Sequence, residues 1–320
     1  MKAAVIYGNG GPDVLQYEDV ADPQCGPGDV LIKVEAISIE GGDTLNRLRG
    51  ELSGSPHIVG YQAAGTIIAI GSDVTTHQVG QRVTTTNAFG SHAELRAVSA
   101  RTAWPVPDVL DIGKAAAIPV AVGTAHECLF GVGELKAGET VLIHAGASAL
   151  GIAAIQFAKQ AGARVLATAS SDDRLARLKG FGLDVGINYV THDTVIEVKR
   201  ATDNRGVELV VDSVGGTTLQ SSILSLGYRG RISMVGAAGR EPMRVDVSTM
   251  MHAQQSLRGV FLGAEIVQER LHGLIGSLIE QAASGDYEVV IDRRFALHEA
   301  AEAHAYIESR QAVGRVLLIP

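Results

Sequence analysis

Cysteine, aromatic residues and long apolar runs are all scarce in this 320-residue sequence. The two cysteines, Cys25 and Cys128, exclude a disulfide framework and are typical of a reducing compartment. No apolar run reaches the roughly 18 residues of a membrane span, and the N-terminal apolar stretch is too short for a signal peptide. We therefore expect a cytoplasmic protein that does not associate with membranes.

Positively charged residues are outnumbered, with 27 Lys and Arg against 35 Asp and Glu, so the formal net charge is −8. Nucleic acid is therefore not expected as a main partner, since binding phosphates requires a basic surface. Aromatic residues make up 4% of the chain, whereas hydrophobic residues make up 46% and there are 38 glycines. This composition predicts aliphatic cores and frequent turns, as in α/β proteins, and the length predicts about two domains.

The first 120 residues or so are predicted to be mainly β and to form a compact barrel. Short β-branched runs separated by Gly, Pro and Asp indicate strands at residues 3–7, 29–34, 65–70 and 81–85. From about Ile112 to Leu135 the pattern changes to an alanine-rich helix, interrupted at Pro119 and Gly123. We interpret this segment as a connector to the next domain.

Strands and helices alternate from Thr140 to about Leu262, which predicts a doubly wound parallel sheet. The remaining residues, 265–320, are predicted to form a helix, a strand at 288–292, a helix at 298–309 and a strand at 315–319. We expect this tail to pack against the first region. The predicted strands of the alternating series lie at residues 140–144, 163–168, 185–187, 208–212, 231–235 and 257–262.

The first strand-to-helix turn of the alternating series resembles a degenerate dinucleotide-binding loop. After the strand at 140–144 come Gly146, which would form the tight turn, and Gly151, which would let the helix pack close to the strand. Ser148 occupies the middle glycine position. Such a loop presents backbone N–H groups to a pyrophosphate at a helix N-terminus, where the helix dipole favours negative charge.

Several segments in order and at consistent spacing resemble the zinc-independent quinone oxidoreductase branch of the medium-chain dehydrogenases/reductases. The resemblance covers essentially the whole chain. The matching segments are Gly11-Pro12-Asp13-Val14-Leu15, Asp43-Thr44, Gly60-Tyr61-Gln62-Ala63-Ala64-Gly65, His144-Ala145-Gly146-Ala147-Ser148, Asn188-Tyr189, residues 210–216 and residues 314–320.

This resemblance implies an α/β protein with a GroES-like β-barrel domain facing a Rossmann domain, the active site lying in the cleft between them. The GroES-like catalytic domain would comprise residues 1–121 and 263–320, and the NADPH-binding domain residues 122–262. The resemblance also implies a homodimer and a small-molecule quinone or enone substrate.

The end of the second Rossmann strand favours NADPH over NADH. An NAD-binding domain usually has Asp or Glu about 20 residues after the glycine loop, where this chain has Ser170, Ser171 and, one turn later, Arg174. A guanidinium there suits a 2′-phosphate. In the alternative interpretation Ser171 only caps the helix, Arg174 is a solvated side chain, and NADH could serve.

The resemblance further brings Tyr189 and Arg310 to the cofactor, and Arg310 could instead be a surface cation at a helix end. The nicotinamide half is expected to pass the loop at 238–247, with Gly236 allowing close approach. The residues predicted to bind the cofactor are Thr124, Gly146, Ser148, Ala149, Leu150, Ser170, Arg174, Tyr189, Ser213, Gly236, Phe261 and Arg310.

A metal site is not expected. The zinc-dependent branch of the superfamily needs a catalytic cysteine within residues 38–43, a Gly-His-Glu turn where this chain has Gly60-Tyr61-Gln62, and a four-cysteine lobe. The histidines are not paired at metal-ligand spacing. His144, at the end of the first Rossmann strand, is expected to pack near the nucleotide loop.

Departures from the family pattern fall at the candidate catalytic residue Glu40, close to the other candidates in sequence, and in the nucleotide loop. Glu40 stands where relatives usually have Asn, Leu45 where they often have Tyr, and Gln62 where they commonly have Glu. In the nucleotide loop Ser148-Ala149 replaces a usual Gly-Gly step, so the loop is expected to lie slightly further from the pyrophosphate.

Three residues are the catalytic candidates. Glu40 is either a buried proton donor with a raised pKa or an ordinary solvent-facing carboxylate. Asp43 either takes part in catalysis or only orients a loop, and Tyr61 is either a phenol donor or a packing residue.

Together these observations predict hydride transfer from NADPH to a quinone or an α,β-unsaturated carbonyl, without zinc, because such acceptors are already electrophilic. An enoyl-thioester reductase and a non-catalytic NADPH-binding redox sensor remain as alternatives.

Overall fold

The computed structural model describes every residue from Met1 to Pro320. It contains sixteen strands and ten α-helices, joined by short 3₁₀ and π-helical turns. The strands are β1 (Lys2–Ile6), β2 (Gln16–Asp19), β3 (Asp29–Ser38), β4 (His57–Ile58), β5 (Gln62–Ile70), β6 (Arg82–Thr86), β7 (Leu95–Ser99), β8 (Ala103–Pro105), β9 (Thr140–Ile143), β10 (Arg164–Ala169), β11 (Val185–Asn188), β12 (Val207–Asp212), β13 (Leu226–Met234), β14 (Ser256–Gly259), β15 (Ile291–Ala296) and β16 (Arg315–Ile319).

The helices are α1 (Gly41–Arg49), α2 (Ile112–Ala116), α3 (Gly123–His126), α4 (Ala149–Gln160), α5 (Asp172–Leu178), α6 (Thr194–Ala201), α7 (Thr218–Ser225), α8 (Ser248–Ala253), α9 (Glu269–Ser284) and α10 (Ala300–Glu308). None of them combines the length and the apolar character that crossing a membrane would require.

The chain divides into two compact units, and the first consists of Met1–Gly123 and Gly263–Pro320. Its main sheet has the order β15-β16-β3-β5-β6-β8, and a smaller sheet has the order β2-β1-β4. The long strand β3 pairs antiparallel with β5, β7 and β16. Aliphatic side chains from β3 and β16, such as Ile32, Ile37 and Leu318, are fully buried in one core. The C-terminal strand therefore completes a sheet that begins near residue 29.

The second unit, Thr124–Leu262, is built on a six-stranded sheet with the order β11-β10-β9-β12-β13-β14. All five pairings in this sheet are parallel. The predicted doubly wound sheet is thereby confirmed. β9 lies between β10 and β12, so the strand order reverses direction beside it, which is where such sheets bind ligands.

Among the predicted elements that differ from the structure are two strands and the helical connector. The strand predicted at 288–292 lies at Ile291–Ala296, because its register is set by parallel pairing with β16 and not by the local apolar run. The strand predicted at 257–262 ends at Gly259, and Phe261 is 79% exposed. Between α2 and Gly131 the chain stays helical through Pro119 by adopting π-helical turns on either side of α3. Proline is tolerated here because it stands in the first turn of its segment, where its missing N–H is not needed.

Candidate functional site

The nucleotide-loop segment lies at the carboxyl end of β9, at the point where the strand order reverses. The loop residues 144–148 connect β9 to α4, and Gly146 donates its backbone N–H to the carbonyl of Thr168 at 2.8 Å. Ala145 adopts a left-handed conformation, with φ of 51°. The loop is therefore tied to the end of β10 as well as to its own strand.

Ser148 is the N-cap of α4. Its hydroxyl oxygen accepts a hydrogen bond from the backbone N–H of Gly151 at 3.0 Å. A Cβ at Gly151 would lie 2.5 Å from the carbonyl oxygen of Ala145, so only glycine allows the helix to pack this close to the loop. Ser148 thus satisfies one helix N-terminal donor, while Ala149 and Leu150 form the first residues of the helix beside it.

The residues predicted to select the cofactor come together beside this loop. Ala169 pairs with Asn188 in the parallel sheet, so Ser170 and Tyr189 leave the sheet side by side. The side chain of Arg174 donates to the hydroxyl of Ser170 at 2.9 Å, and Tyr189 is 43% exposed. The segments after β10 and β11 therefore place a guanidinium, a hydroxyl and a phenol at the same carboxyl edge of the sheet.

The structure also shows one feature of the alternative interpretation, in which Ser171 caps the helix after β10. Ser171 is the N-cap of α5, and its hydroxyl accepts the backbone N–H of Arg174 at 3.4 Å. Capping by Ser171 uses only the backbone of Arg174, so it does not remove the guanidinium from the edge where Ser170 lies.

The remaining predicted cofactor residues lie further along the same unit or outside it. Ser213 follows β12, and Gly236 lies against its backbone after β13. Phe261 follows the edge strand β14, and Thr124 is buried in α3. Arg310 belongs to the other unit, at the exposed end of α10, and its contact with a cofactor stays a prediction.

His144 is buried at the start of the nucleotide loop. Its Nδ1 lies 3.2 Å from the hydroxyl of Thr168, and burial lowers the pKa of the imidazole below its ordinary value. The ring therefore stays neutral at neutral pH and packs between β9 and β10.

In the first unit, Glu40 lies in a buried polar cluster with Arg315 and Gln62. Its carboxylate forms an ion pair with Arg315 at 2.8 Å and accepts a hydrogen bond from the side-chain amide of Gln62. The pKa of Glu40 is raised above its ordinary value, because desolvation by burial outweighs the opposing effects of Arg315, Gln62 and Ser38. The interpretation of Glu40 as a solvent-facing loop carboxylate is wrong, because its side chain is only 10% exposed.

Asp43 holds two backbone segments together. One carboxylate oxygen accepts the N–H of Glu40 at 2.8 Å and the other accepts the N–H of Tyr61 at 3.1 Å. Burial raises the pKa of Asp43 to about 8, and the neighbouring Glu40 carboxylate acts in the same direction. These contacts fit the interpretation in which Asp43 orients a loop.

Tyr61 is partly buried beside α1. Its phenol oxygen accepts a hydrogen bond from the side-chain amide of Asn46 at 3.1 Å. Burial, together with the charge of Asp43, raises the pKa of Tyr61 to about 12, so the phenol is neutral at ordinary pH. The structure therefore groups Glu40, Asp43 and Tyr61 around the start of α1.

Sequence reasoning missed Arg315 and Asn46 as members of this cluster. Arg315 contacts Ile39 and Glu40, and Ile39 lies 276 positions before it in the sequence. No local sequence pattern can therefore link these residues. The only sequence signal is a charged residue directly before the apolar run Val316–Ile319, where a buried charge requires a partner.

Known proteins resemble this chain over its whole length. One family model, described as an alcohol dehydrogenase GroES-like domain, matches residues 26–108, and another, described as a zinc-binding dehydrogenase, matches residues 149–279. A quinone oxidoreductase of Pseudomonas aeruginosa is 30% identical over 97% of this chain and 97% of its own. The chain belongs to the quinone oxidoreductase branch of the medium-chain dehydrogenase/reductase superfamily.

Two further proteins extend this finding. A 2-haloacrylate reductase of a Burkholderia species is 31% identical, over 99% of this chain and 98% of its own. The solved structure of Escherichia coli quinone oxidoreductase complexed with NADPH superposes with a TM-score of 0.93 at 28% identity, covering 100% of both chains. The predicted family and the GroES-like and Rossmann architecture are confirmed.

The side chains of this chain do not fit the zinc named in the second family description. No group of three or more His, Cys, Asp or Glu side chains is placed so that it could hold a metal ion. The turn at Gly60-Tyr61-Gln62 offers a phenol and an amide, neither of which is a usual zinc ligand.

The raised pKa of Asp43 predicts a pH-dependent contribution to stability. Below about pH 4 both the folded and the unfolded chain hold this proton, whereas between about 4 and the folded value of about 8 only the folded chain does. Rising pH in this window therefore favours unfolding. Asp43→Asn removes the titration but leaves one of the two backbone N–H groups without an acceptor, which costs about 1–3 kcal/mol.

We therefore expect D43N to be less stable than the wild type at pH 5, with a difference that shrinks toward pH 8. Urea denaturation at three pH values measures this difference. Asp13→Asn, at an exposed position, serves as the control and should show a constant offset. A D43N offset that is constant or grows with pH would contradict the raised pKa.

Proposed function

We propose that this protein is an NADPH-dependent reductase of quinones or α,β-unsaturated carbonyl compounds that works without zinc. The observation that carries the proposal is that the nucleotide loop, Ser170, Arg174 and Tyr189 all lie at the carboxyl edge of the parallel sheet, with the loop at the point where the strand order reverses. The similar proteins support the acceptor class, since one is named a quinone oxidoreductase and another a 2-haloacrylate reductase, and an acrylate carries a conjugated C=C bond.

Residues of the second unit fit the cofactor. The N-terminus of α4 faces the pyrophosphate position with its dipole and backbone N–H groups, and Ser148 holds the first turn in place. Arg174 and Ser170 offer charge-assisted and neutral donors to a ribose 2′-phosphate. When bound, NADPH supplies the hydride.

The three catalytic candidates of the first unit differ in whether their polar atoms are already engaged in hydrogen bonds or ion pairs. Both oxygens of Asp43 are occupied by backbone donors, and the Glu40 carboxylate is occupied by Arg315 and Gln62. The phenol of Tyr61 stays protonated, and its hydroxyl hydrogen is not used in the hydrogen bond that it accepts from Asn46. We therefore propose Tyr61, or solvent, and not Glu40, as the source of the proton.

The reaction is tested by following NADPH oxidation at 340 nm with a panel of quinones, enones and enoyl thioesters. We expect turnover of quinones or enones without added zinc and without loss on treatment with a chelator. A clear preference for thioester-linked enones would instead support the enoyl-thioester reductase. NADPH binding without turnover of any acceptor would support the redox sensor and contradict the proposal.

Arg174 should determine the preference for NADPH. Arg174→Ala removes the guanidinium that meets the 2′-phosphate, so the KM for NADPH should rise about tenfold or more while that for NADH stays within about twofold. Arg177→Ala, on the same helix α5, is the matched control and should leave both constants near their wild-type values. Equal effects of R174A on the two cofactors would contradict the assignment.

Ser148 and Ala149 should weaken NADPH binding. Replacing both with glycine removes two Cβ atoms, so the pyrophosphate can approach the backbone more closely, and we expect a Kd lower by on the order of threefold. Ser148→Ala is the control: it keeps the Cβ, loses the cap of α4 at about 1 kcal/mol of stability, and should not tighten binding. A fluorescence titration in which the double variant binds no better than wild type would count against this expectation.

We further propose that the protein forms a homodimer. β14 is the outer strand of the six-stranded sheet and pairs only with β13, and Leu257 on it is 37% exposed. An unpaired strand edge with an apolar side chain favours association with a second copy. Location in the cytoplasm stays a prediction.

Light scattering tests the dimer. We expect the wild type to have twice the mass of one chain and Leu257→Asp to shift toward a single chain, because a carboxylate at the edge opposes pairing. Val109→Asp, at a position 82% exposed in the other unit, should leave the mass unchanged. A monomeric wild type would refute the dimer.

A further inference from the structure

Arg315 clamps the chain just before α1. One terminal nitrogen of its guanidinium donates to the carbonyl of Ile39 at 2.6 Å, and the other meets the carboxylate of Glu40 at 2.8 Å. Both side chains are at most 10% exposed. The first residue of β16 therefore binds the two consecutive residues that precede α1.

From α1, two contacts reach Tyr61. Asp43 accepts the backbone N–H of Tyr61, and Asn46 donates to its phenol oxygen. The ring also packs so tightly against Gly42 that a Cβ there would lie 2.4 Å from a ring carbon. The position of the Tyr61 phenol thus depends on where α1 begins.

Gln62 links the same carboxylate to the strand after Tyr61. Its side-chain nitrogen donates to Glu40 and, at 3.1 Å, to the hydroxyl of Ser38, while its carbonyl oxygen accepts the backbone N–H of Val120 at 3.0 Å. All these contacts fix which end of the amide faces Glu40. The carboxylate and the amide therefore form one buried pair, and one negative charge in it balances Arg315.

We propose that Glu40 is a positioning residue that acts with Arg315 to hold the Tyr61 phenol through α1, and that the carboxylate required by Arg315 can be supplied from position 62 in place of position 40. Positions 40 and 62 are also two of the positions at which this chain departs from the family pattern. The two substituted side chains are hydrogen-bonded to each other. The inference rests on the proposed function only for its kinetic measurements.

The test is an exchange of the two side chains. E40Q keeps the size of the residue but leaves the guanidinium without its carboxylate, so we expect the melting temperature to fall and kcat to fall about tenfold through misplacement of Tyr61, with the NADPH Kd within about twofold of wild type. Q62E alone places two carboxylates together, so its kcat should fall as pH rises and the second carboxyl group loses its proton.

The double variant E40Q/Q62E restores one carboxylate and one amide. It should recover at least half of the loss of E40Q in both melting temperature and log kcat. Glu134→Gln, which breaks an ion pair whose side chains are 60% and 43% exposed, is the matched control and should change neither. A double variant no better than E40Q would overturn the exchange.

Action through Tyr61 is tested separately. In a Tyr61→Phe background the further effect of E40Q on kcat should shrink to about twofold or less, because the phenol that Glu40 holds is already gone. An undiminished effect would overturn the positioning role.

If the wild type turned over no acceptor, the proposed function would fail and this inference would still be decided. Comparing the melting temperatures of the wild type, E40Q, Q62E and the double variant needs no substrate. The near-ultraviolet circular dichroism difference between wild type and Y61F reports the Tyr61 environment, and it should diminish in E40Q and return in the double variant. An unchanged signal in E40Q would overturn the inference.

Discussion

A buried guanidinium is stabilised by a carboxylate beside it, and at the start of α1 Glu40 supplies that carboxylate to Arg315. Removing one partner of a buried pair leaves the other charge desolvated, which typically costs about 3–5 kcal/mol. Arg315 stands at the first residue of the C-terminal strand, whereas Glu40 stands at the entry of α1. The ion pair therefore joins the C-terminal strand to the start of α1, beside the residue that we propose as a proton donor.

The second unit depends on a different constraint, which is the close approach of a helix to a strand. The absence of a side chain at Gly151 and the capping hydroxyl of Ser148 together determine how α4 meets the nucleotide loop. The neighbouring strand contributes Ser170 and Arg174 at the same edge. Because the strands are parallel, their carboxyl ends gather these residues without any long loop.

The two acidic candidates have different roles for a physical reason. Asp43 is surrounded by backbone donors that it holds together, and its proton is retained because the site is desolvated. Glu40 faces a cation, and the attraction to Arg315 opposes the effect of burial on its pKa. The oxygens of both carboxyl groups are engaged by hydrogen-bond donors, whereas the phenol of Tyr61 keeps a hydrogen that its bond from Asn46 does not use.

Local patterns in the chain were sufficient for much of the fold. The alternation of strands and helices after Thr140, the glycine turn at Gly146 and the apolar runs of the first 120 residues all depend on neighbours in sequence, which is why they could be recognised. The limits of a strand could not be predicted from local patterns where pairing with another strand sets them. Residues 291–296 form a strand because β16 aligns with them, and no pattern within those residues specifies that register.

The amino-acid sequence by itself determined the family, the parallel sheet and the place of the nucleotide loop, since each rests on short-range periodicity and on motifs in a fixed order. Only the tertiary structure decided the environment of Glu40. Its pKa, its burial and its role depend on Arg315 and Gln62, which lie far from it along the chain. Electrostatic interactions act through space, so an isolated carboxylate in a sequence does not indicate whether it will face water, a substrate or a buried cation.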